Sequence, residues 1–374
     1  MSSIKKTEYG TYRLRWRNPQ GQDRSLTFKT RKDADGYNRA LQSDLHTGKY
    51  VDPQGGKTRL DDWLNEWHQG RLNLRPTTQS RDTNIIDNLI TPHLGDRQLR
   101  RLTPSVIRGW VATVNQQYAA ATTIKAHQLL RAALTAAVGD RLIPANPAAG
   151  TPLPRVEKSE PRYLSIDEIH QLADAIDPRY KAVVYVGALA GLRPGEIAGL
   201  HKDDLDLLRK TLRVERTSSE ISGRIVVGPP KTESSRRTIT IPNVLVDILA
   251  EHLATYPTDS PHVFTNTADG PLRWTNLRRR AWKRAVLESV GEPCTPHCLR
   301  HSHAALCIQE GMHPRMLMER LGHRDIRTTL GTYGHVYSGY DEQVVNALDE
   351  AFSTPRVSDS RQKRSGDVIQ LPNQ

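Results

Sequence analysis

Five prolines interrupt the chain near its middle: Pro144, Pro147, Pro152, Pro154 and Pro161. Proline fixes the backbone angle φ and removes an amide donor, so neither a helix nor a central strand runs through such a segment. The helical spacing of apolar residues is also lost there, which is typical of a linker. We therefore predict a linker at residues 151–162, in a chain of 374 residues that is too long for one typical domain.

The N-terminal segment, residues 1–57, has the pattern of a small sheet with one helix. Apolar and cationic residues alternate along its first strand, so three arginines share one face: Arg13, Arg15 and Arg17. A second strand follows at residues 25–28, and Thr30 can cap a helix that ends near Leu45. This cationic face fits contact with DNA, and it fits a solvated outer face equally well.

Residues 58–150 have the pattern of a helical bundle. Apolar residues such as Ile86, Leu89 and Ile90 recur there at helical spacing. Helix starts are predicted near four positions: Leu60, Thr77, Thr103 and Thr122. No residue of this segment has a pattern that indicates catalysis.

Residues 163–352 combine helices with short strands. Ser165 and Glu168 have the spacing of a capping box, which starts a helix. Strands are predicted at three places: Thr211–Val214, Arg224–Val227 and Thr238–Ile241. The fold class expected for the chain is therefore mainly α with small β elements (α+β). Residues 353–374 are predicted to form a disordered basic tail.

The charge of the chain favours a polyanionic partner. Lys and Arg number 53 against 41 Asp and Glu, which gives a net charge of +12. A membrane surface is less favoured, because no apolar stretch is long enough to span a bilayer and no signal peptide is recognisable. Three cysteines do not make a disulfide framework, so we expect a reducing, cytoplasmic location.

Two stretches in the third segment place arginine and lysine beside possible anion sites. In the stretch from Gly191 to Ile197, Pro194 suits the first position of a helix, which places Arg193 at its N-terminal end. Glu196 then lies in the first turn, within reach of Arg193. Lys231 falls between two predicted strands, at the tip of a predicted hairpin. Taken alone, each of these two stretches is better explained by a solvated arginine or a solvated lysine.

Two further stretches add histidines and a tyrosine. His297 and Arg300 are three residues apart, so on a helix they share a face, where a fixed cation and a proton carrier suit attack on a phosphodiester. A metal site is the alternative, although the nearby His and Cys residues have no zinc-binding spacing. Downstream, His323 is followed by Tyr333, whose phenolate needs a cationic site to act as a nucleophile.

Taken in order, these stretches resemble the tyrosine recombinase (phage integrase) family. The motifs that carry the resemblance are Gly191-Leu192-Arg193-Pro194-Gly195-Glu196-Ile197, Lys231, His297-Cys298-Leu299-Arg300-His301, Leu321-Gly322-His323 and Tyr333. Cys298 departs from the family, which more often has an acidic or amide residue there. In layout the resemblance covers the whole chain: an arm-site DNA-binding domain (1–57), a helical core-binding domain (58–150), the linker and a catalytic domain (163–352).

The resemblance implies a site-specific recombinase that forms a 3′-phosphotyrosyl intermediate and needs neither a cofactor nor a metal. Arg193 and Arg300 would clamp the scissile phosphate, and His323 would donate a hydrogen bond to it. His297 would assist proton transfer at the phenol, and Lys231 would protonate the departing 5′ oxygen. Glu196 would orient the site without reacting. Tyr337 and Tyr340 lie close enough in sequence to be alternative nucleophiles.

The partners implied are double-stranded DNA at core and arm sites, a homo-tetramer on DNA, and accessory DNA-bending and directionality proteins. The arginines of residues 1–57 would contact arm sites. Further phosphate contacts are expected at Arg278, Arg279 and Lys283, where a solvated helix face is the alternative. An apolar stripe in a C-terminal helix would dock on a neighbouring protomer: Val344, Val345, Leu348 and Phe352. We expect the protein to integrate a phage or other mobile element, and its excision is left open. The expected location is the cytoplasm, at the nucleoid.

Two other functions share most of these features. A non-enzymatic DNA-binding regulator could keep the fold, although here every catalytic position is filled. A type IB topoisomerase would use the same chemistry but relax DNA as a monomer. The basic N-terminal sheet and the apolar C-terminal stripe favour recombination over both.

Overall fold

The computed structural model describes residues 2–19, 21–48, 50–52, 54–157, 162–230, 232–291 and 294–339, together with residues 345, 346, 348, 349, 352 and 353. The chain forms two compact units, residues 1–159 and 160–374. Their boundary lies within the segment where we predicted a linker. No described helix is long and apolar enough to cross a membrane.

The first unit begins with an antiparallel sheet of three strands: β1 (Ser3–Lys6), β2 (Tyr12–Arg17) and β3 (Asp23–Phe28). Helix α1 (Arg31–His46) begins where the Thr30 hydroxyl accepts a hydrogen bond from the amide of Asp33, as the sequence predicted. Leu14 and Trp16 of the central strand are buried, and the arginines that alternate with them are exposed: Arg13, Arg15 and Arg17. The alternation along β2 is therefore present in the structure, whereas β1 was not predicted.

The rest of the first unit is helical: α2 (Leu60–Gln69), α3 (Pro76–Ile85), α4 (Thr91–Leu94), α5 (Pro104–Gln117) and α6 (Ala120–Gly139). A π-helical segment, Ile86–Ile90, joins α3 to α4. Four of these helices begin within two residues of a predicted start. The indole N–H groups of Trp63 and Trp110 each donate to a backbone carbonyl, at 2.9 and 2.8 Å, so the buried tryptophans have hydrogen-bond partners.

The second unit has nine labelled helices among its described residues: α7 (Ile166–Ala175), α8 (Lys181–Ala190), α9 (Pro194–Ala198), α10 (Asn243–Thr255), α11 (Trp274–Leu277), α12 (Lys283–Glu288), α13 (Pro296–Gln309), α14 (Pro314–Leu321) and α15 (Ile326–Tyr333). A π-helical segment, Arg278–Trp282, joins α11 to α12. The capping box at the start of α7 is formed, because Ser165 and Glu168 each accept the other's backbone amide. Together with the small sheets, these helices confirm the mainly α (α+β) class.

Two small antiparallel sheets accompany these helices. Their strands are β4 (Leu205–Asp206), β5 (Thr211–Val214), β6 (Thr217–Ile221), β7 (Arg224–Gly228) and β8 (Arg237–Thr240). One sheet has the order β4-β5-β8, and the other pairs β6 with β7. The predicted hairpin around Lys231 is therefore wrong, since the strands before and after it belong to different sheets. Lys231 itself lies outside the described residues.

Helices α8 and α13 pack against each other at the centre of the second unit. A Cβ atom at Gly187 would lie 2.7 Å from the side chain of Leu299, so only glycine permits this approach. The close packing fixes α13, and with it Arg300 and His301, against the segment that follows α8. The scaffold of the site is thus a buried helix pair.

Candidate active site

Arg193 is held at the start of α9 by a glutamate one turn away. Gly191 ends α8 with φ +66°, a left-handed conformation that suits glycine, and the chain then becomes extended at Arg193. The carboxylate of Glu196 accepts from the Arg193 amide at 2.9 Å and from its guanidinium at 2.8 Å. The sequence predicted this helix start and this contact, and both are present.

Glu196 has a second cationic partner, Arg237, which the sequence analysis did not identify. The Arg237 guanidinium donates to both carboxylate oxygens, at 2.9 and 3.2 Å. Burial alone would raise the pKa of Glu196, but the hydrogen bonds and charge of Arg237, followed by the charge of Arg193, lower it to about 2. Strand alternation offered the missed signal, because one of the neighbours Arg236 and Arg237 must face inward.

Arg300 joins three of the predicted motifs at one point. Its side chain is 1% exposed. It donates to the carbonyl of Gly191 at 2.6 Å, to the carbonyl of Leu321, and to Nε2 of His323 at 3.0 Å. Burial, followed by repulsion from Arg193, lowers the pKa of Arg300 to about 9, so it remains a cation at neutral pH. Arg300 thereby brings together motifs that are far apart in the sequence, those of Gly191 and of Leu321–His323.

His323 lies between Arg300 and a buried threonine. Its Nδ1 is 2.8 Å from the hydroxyl of Thr329, which is fully buried. Because a guanidinium can only donate, Nε2 of His323 accepts from Arg300, and the proton is on Nδ1. Burial, followed by the charges of Arg300 and Arg193, lowers the pKa of His323 to about 3. The imidazole is therefore neutral, and Thr329 is a second partner that the sequence analysis missed.

Tyr333 is the last residue of α15 and is 1% exposed. Gly331 and Gly334 flank Tyr333 in the sequence, a pattern that suits a flexible segment, but the structure places the tyrosine on a helix, with its ring in a small apolar cluster that includes Leu317 and Leu321. Its hydroxyl lies 2.9 Å from Nδ1 of His301. Burial raises the pKa of Tyr333 to about 12, against the opposing charge of Arg300.

His297 lies one helical turn before His301 on α13. The two rings meet edge to face, with their centroids 4.7 Å apart. Desolvation by neighbouring side chains, followed by the charges of His301 and Arg300, lowers the pKa of His297. His297 is therefore part of the cluster, although the side chain hydrogen-bonded to the Tyr333 hydroxyl is His301.

A cleft of about 780 Å³ adjoins this cluster, and its lining includes His297 and Trp274. The predicted phosphate contacts of this unit also line it: Arg278, Arg279 and Lys283. All three of these cations are exposed on the helical segment that runs from α11 to α12. The structure thus brings them beside the site instead of onto a remote surface.

The remaining predicted residues lie elsewhere. Arg13, Arg15 and Arg17 belong to the sheet of the first unit, where Arg17 forms an ion pair with Asp23 at 3.0 Å. Tyr337 donates to the carbonyl of Met312 at 3.2 Å. Tyr340, Val344 and residues 354–374 of the predicted tail (353–374) lie outside the described residues.

This arrangement can bind a phosphate group and attack it. Two fixed cations, Arg193 and Arg300, lie beside a neutral imidazole and a protonated phenol, a combination that suits an oxyanion and an oxygen nucleophile. In the described part of the chain, no three His, Cys, Asp or Glu side chains come together as a group that could hold a metal ion.

Comparison with known proteins agrees with this chemistry. The sequence profile of the phage integrase family matches residues 162–339, and the profile of a phage integrase N-terminal SAM-like domain matches residues 59–114. The integrase of Mycobacterium phage D29 is 30% identical over 274 residues, which cover 70% of each protein. The chain belongs to the phage integrase family. Its function is site-specific DNA recombination by a tyrosine recombinase.

Other relatives extend this similarity along the chain. The integrase of Mycobacterium phage L5 is 26% identical over 373 residues, 94% of this integrase and 98% of that one. A structure of the Tn1549 transposon integrase with transposon right end DNA is 19% identical and covers 79% of this chain and 100% of that chain, with a TM-score of 0.65. A lambda integrase dimer bound to a COC' core site is also 19% identical, with 89% and 94% covered and a TM-score of 0.59. These structures share the fold of this integrase.

Proposed function

We propose that this integrase cleaves and rejoins DNA through a 3′-phosphotyrosyl bond to Tyr333, and thereby integrates a phage or other mobile element. The supporting observation is the position of Arg300, which gathers three motifs around one buried guanidinium. The Tyr333 hydroxyl lies 2.9 Å from Nδ1 of His301, the residue after Arg300, and the charge of Arg300 opposes the rise in the pKa of Tyr333. A phenol and two arginines around one point suit in-line attack on a phosphodiester.

Arg193 and Arg300 clamp the scissile phosphate in this proposal. Among the described contacts, three of the five N–H donors of Arg300 are used, which leaves two for phosphate oxygens. Glu196 orients Arg193 without reacting. Its low pKa keeps it anionic at neutral pH, so it holds the guanidinium in place under those conditions. To donate a further hydrogen bond to a non-bridging oxygen, His323 exchanges its Arg300 contact for the phosphate and carries its proton on Nε2, while Nδ1 accepts from the Thr329 hydroxyl.

Two groups move protons. His297 assists proton transfer at the phenol, and Lys231 protonates the 5′ oxygen as the P–O5′ bond breaks. The phosphotyrosyl bond keeps the energy of the phosphodiester, so a 5′ hydroxyl can attack it and rejoin the strand without ATP. Because Tyr333 is almost fully buried, local opening around its hydroxyl must admit the phosphate before attack.

DNA is contacted by both units in this proposal. The exposed cations in the cleft beside His297, on the segment Arg278–Trp282 and at Lys283, bind the core-site backbone. The helical part of the first unit is a core-binding domain (58–150), and the sheet with Arg13 and Arg15 binds arm sites. The structures of the Tn1549 and lambda integrases that share this fold are complexes with DNA, which supports this assignment.

Recombination uses a homo-tetramer on two DNA sites, together with accessory bending and directionality proteins. The lambda integrase is described as a tetramer bound to a Holliday junction. In this integrase, Val345, Leu348 and Phe352 are 49%, 52% and 87% exposed, as an apolar stripe that docks on a neighbouring protomer requires. We place the protein in the cytoplasm, at the nucleoid.

The test is covalent capture of DNA. Nicked suicide duplexes, selected by binding from a random-sequence library, are incubated with the full chain, and protein–DNA adducts are resolved by denaturing electrophoresis. Wild type is expected to form the adduct, while Tyr333→Phe forms none and still binds DNA. Tyr337→Phe is the matched control, because it removes a hydroxyl that donates to the Met312 carbonyl, and it should form the adduct.

Each outcome separates the alternatives. An adduct with Phe at 333 would show that another residue attacks, and wild type without any adduct would favour a DNA-binding regulator. Relaxation of supercoiled DNA without strand exchange between two sites would favour a topoisomerase. Adduct formation in excess EDTA is expected, since Arg193 and Arg300 supply the positive charge in this proposal.

A further inference from the structure

The hydroxyl of Tyr333 is in direct contact with His301, a residue to which the mechanism above gives no role. Nδ1 of His301 lies 2.9 Å from the phenol oxygen, and the ring centroids are 5.7 Å apart. His301 follows Arg300 on α13 and is half-buried. An imidazole at hydrogen-bond distance from a phenol is placed to take its proton.

The direction of this hydrogen bond follows from the protonation of its partners. Burial raises the pKa of Tyr333 to about 12, so the phenol keeps its proton in the DNA-free protein. Burial, followed by the charge of Arg300, lowers the pKa of His301, so its imidazole is neutral. The phenol therefore donates, and Nδ1 of His301 accepts with its lone pair.

The charged groups around this pair set how strongly His301 binds a proton, and DNA binding changes that basicity. Arg300 and His297 face it from α13, Arg193 acts from the start of α9, and Tyr163 acts from the segment before α7. Positive charge from Arg300 disfavours an imidazolium at His301. A phosphate bound by the two arginines offsets that charge, so His301 becomes a stronger base when the substrate is in place.

The same chain contains a second histidine–tyrosine pair with nearly identical geometry. Nδ1 of His170 lies 2.8 Å from the hydroxyl of Tyr185, and their ring centroids are also 5.7 Å apart. That pair joins α7 to α8, outside the cluster of Arg193, Glu196 and Arg300. Because that pair has the same geometry without the arginines, the arginines around Tyr333 carry the argument, and His170 supplies a matched control.

We propose that His301 is the immediate acceptor of the Tyr333 hydroxyl proton during DNA cleavage, an inference that rests on the proposed function of Tyr333. As the phenol oxygen bonds to phosphorus and the P–O5′ bond breaks, the O–H proton moves to Nδ1 of His301. The departing 5′ oxygen takes a separate proton from the acid of the site. When the strand is rejoined, the His301 imidazolium returns its proton to the phenolate. His297, whose ring contacts the ring of His301, assists this proton transfer.

The experiment compares single-turnover adduct formation on nicked suicide duplexes between pH 6 and pH 9. His301→Asn keeps an acceptor near the Nδ1 position but cannot hold a proton, and His301→Ala removes both. Each variant is expected to lose about 10²- to 10⁴-fold in rate at pH 7. The deficit should shrink by about tenfold for each unit of pH, because hydroxide then removes the proton. Added imidazole should restore part of the rate of His301→Ala.

A duplex with sulfur in place of the 5′ bridging oxygen separates base from acid, since a thiolate leaves without a proton. The His301 variants should stay slow on this substrate, whereas Lys231→Ala should recover. His170→Asn removes the matched contact and should cleave at the wild-type rate. A rate for His301→Asn close to wild type, or a loss that is constant across pH, would show that His301 only positions the tyrosine and would overturn the inference.

The two proposals fail in different ways. If wild type forms no adduct at all, the proposed function is wrong. If wild type forms the adduct at Tyr333 and His301→Asn matches it, the function stands and the role of His301 is wrong. Thermal unfolding of each variant is measured alongside, and should His301→Ala fail to fold, the Asn variant alone decides, because it preserves the hydrogen bond.

Discussion

The buried ion pair between Arg237 and Glu196 gives the sharpest prediction for stability. Glu196 is 3% exposed, and Arg237 donates to both of its carboxylate oxygens. Arg237 also donates to the carbonyls of Arg320 at 2.7 Å and Ser235 at 2.9 Å. Arg237→Met keeps much of the aliphatic volume but leaves the carboxylate with Arg193 as its remaining bonded cation.

The expected loss can be worked out in two ways. Removing one partner of a buried ion pair costs roughly 3–5 kcal/mol, because the other charge stays buried. Independently, the pKa of Glu196 falls from 4.5 to about 2. At about 1.36 kcal/mol per pH unit, this depression corresponds to roughly 3 kcal/mol, shared among the arginines around the carboxylate. We therefore expect Arg237→Met to lower the free energy of unfolding of the second unit by about 3 kcal/mol.

The sign of the pH dependence follows from the depressed pKa. The contribution of Glu196 is fully present above pH 4.5 and is lost as the pH falls toward 2, where the carboxylate is protonated in the folded state too. Wild type should therefore lose stability over that range. Glu196→Gln should show a flatter acid limb, because the titrating group is gone.

The assay must report on the second unit alone, since the chain has two units. Hydrogen exchange of the buried α8 segment, Lys181–Ala190, as a function of urea gives its unfolding free energy directly. The neighbouring Arg236 is the matched control, because it is 55% exposed and lies 3.9 Å from Glu215. Arg236→Met should cost at most about 0.5 kcal/mol.

The double variant Arg237→Met with Glu196→Gln should be less destabilised than the sum of the two single variants, because no buried charge is left unpaired. A loss below about 1 kcal/mol for Arg237→Met would refute the reasoning, as would an equal loss for Arg236→Met.

Two further predictions concern the DNA-bound reaction. Thr329→Val should slow cleavage by about 10- to 100-fold, because the Thr329 hydroxyl fixes the tautomer of His323. Thr329→Ser keeps the hydroxyl and should cleave at nearly the wild-type rate. The rates of adduct formation of the two variants test this prediction. Arg15→Gln should reduce the slope of log affinity against log salt by about 0.9 per lost phosphate contact, measured on DNA that carries arm sites. Arg17→Gln should change it less, since Arg17 already pairs with Asp23 at 3.0 Å.

Much of the chemistry could be predicted from the sequence. The order of Arg193, Arg300, His323 and Tyr333 was sufficient to predict the family, because each residue lies in a short motif that can be recognised without knowledge of the fold. The alternation in Tyr12–Arg17 predicted a strand with exposed arginines for the same local reason. Helix caps at Thr30 and Ser165 were likewise predictable, since they depend on neighbours within one turn.

The tertiary structure decided which side chains meet. Helical spacing places His297 and His301 on the same face of α13, but only the packing of α15 brings His301 to the phenol of Tyr333. Strand alternation makes one of Arg236 and Arg237 face inward, but only the pairing of β8 with β5 and the position of α9 bring Arg237 to Glu196.

The physical reason is that local sequence fixes the direction of a side chain relative to its own element, whereas a contact between elements depends on how those elements pack. The segment after β7 illustrates the same limit. Two strands that follow each other in the sequence predicted a hairpin, but β7 pairs with β6 and β8 pairs with β5. The sequence therefore determined that Tyr333 is the nucleophile to test. Only the tertiary structure decided that its hydroxyl lies against His301.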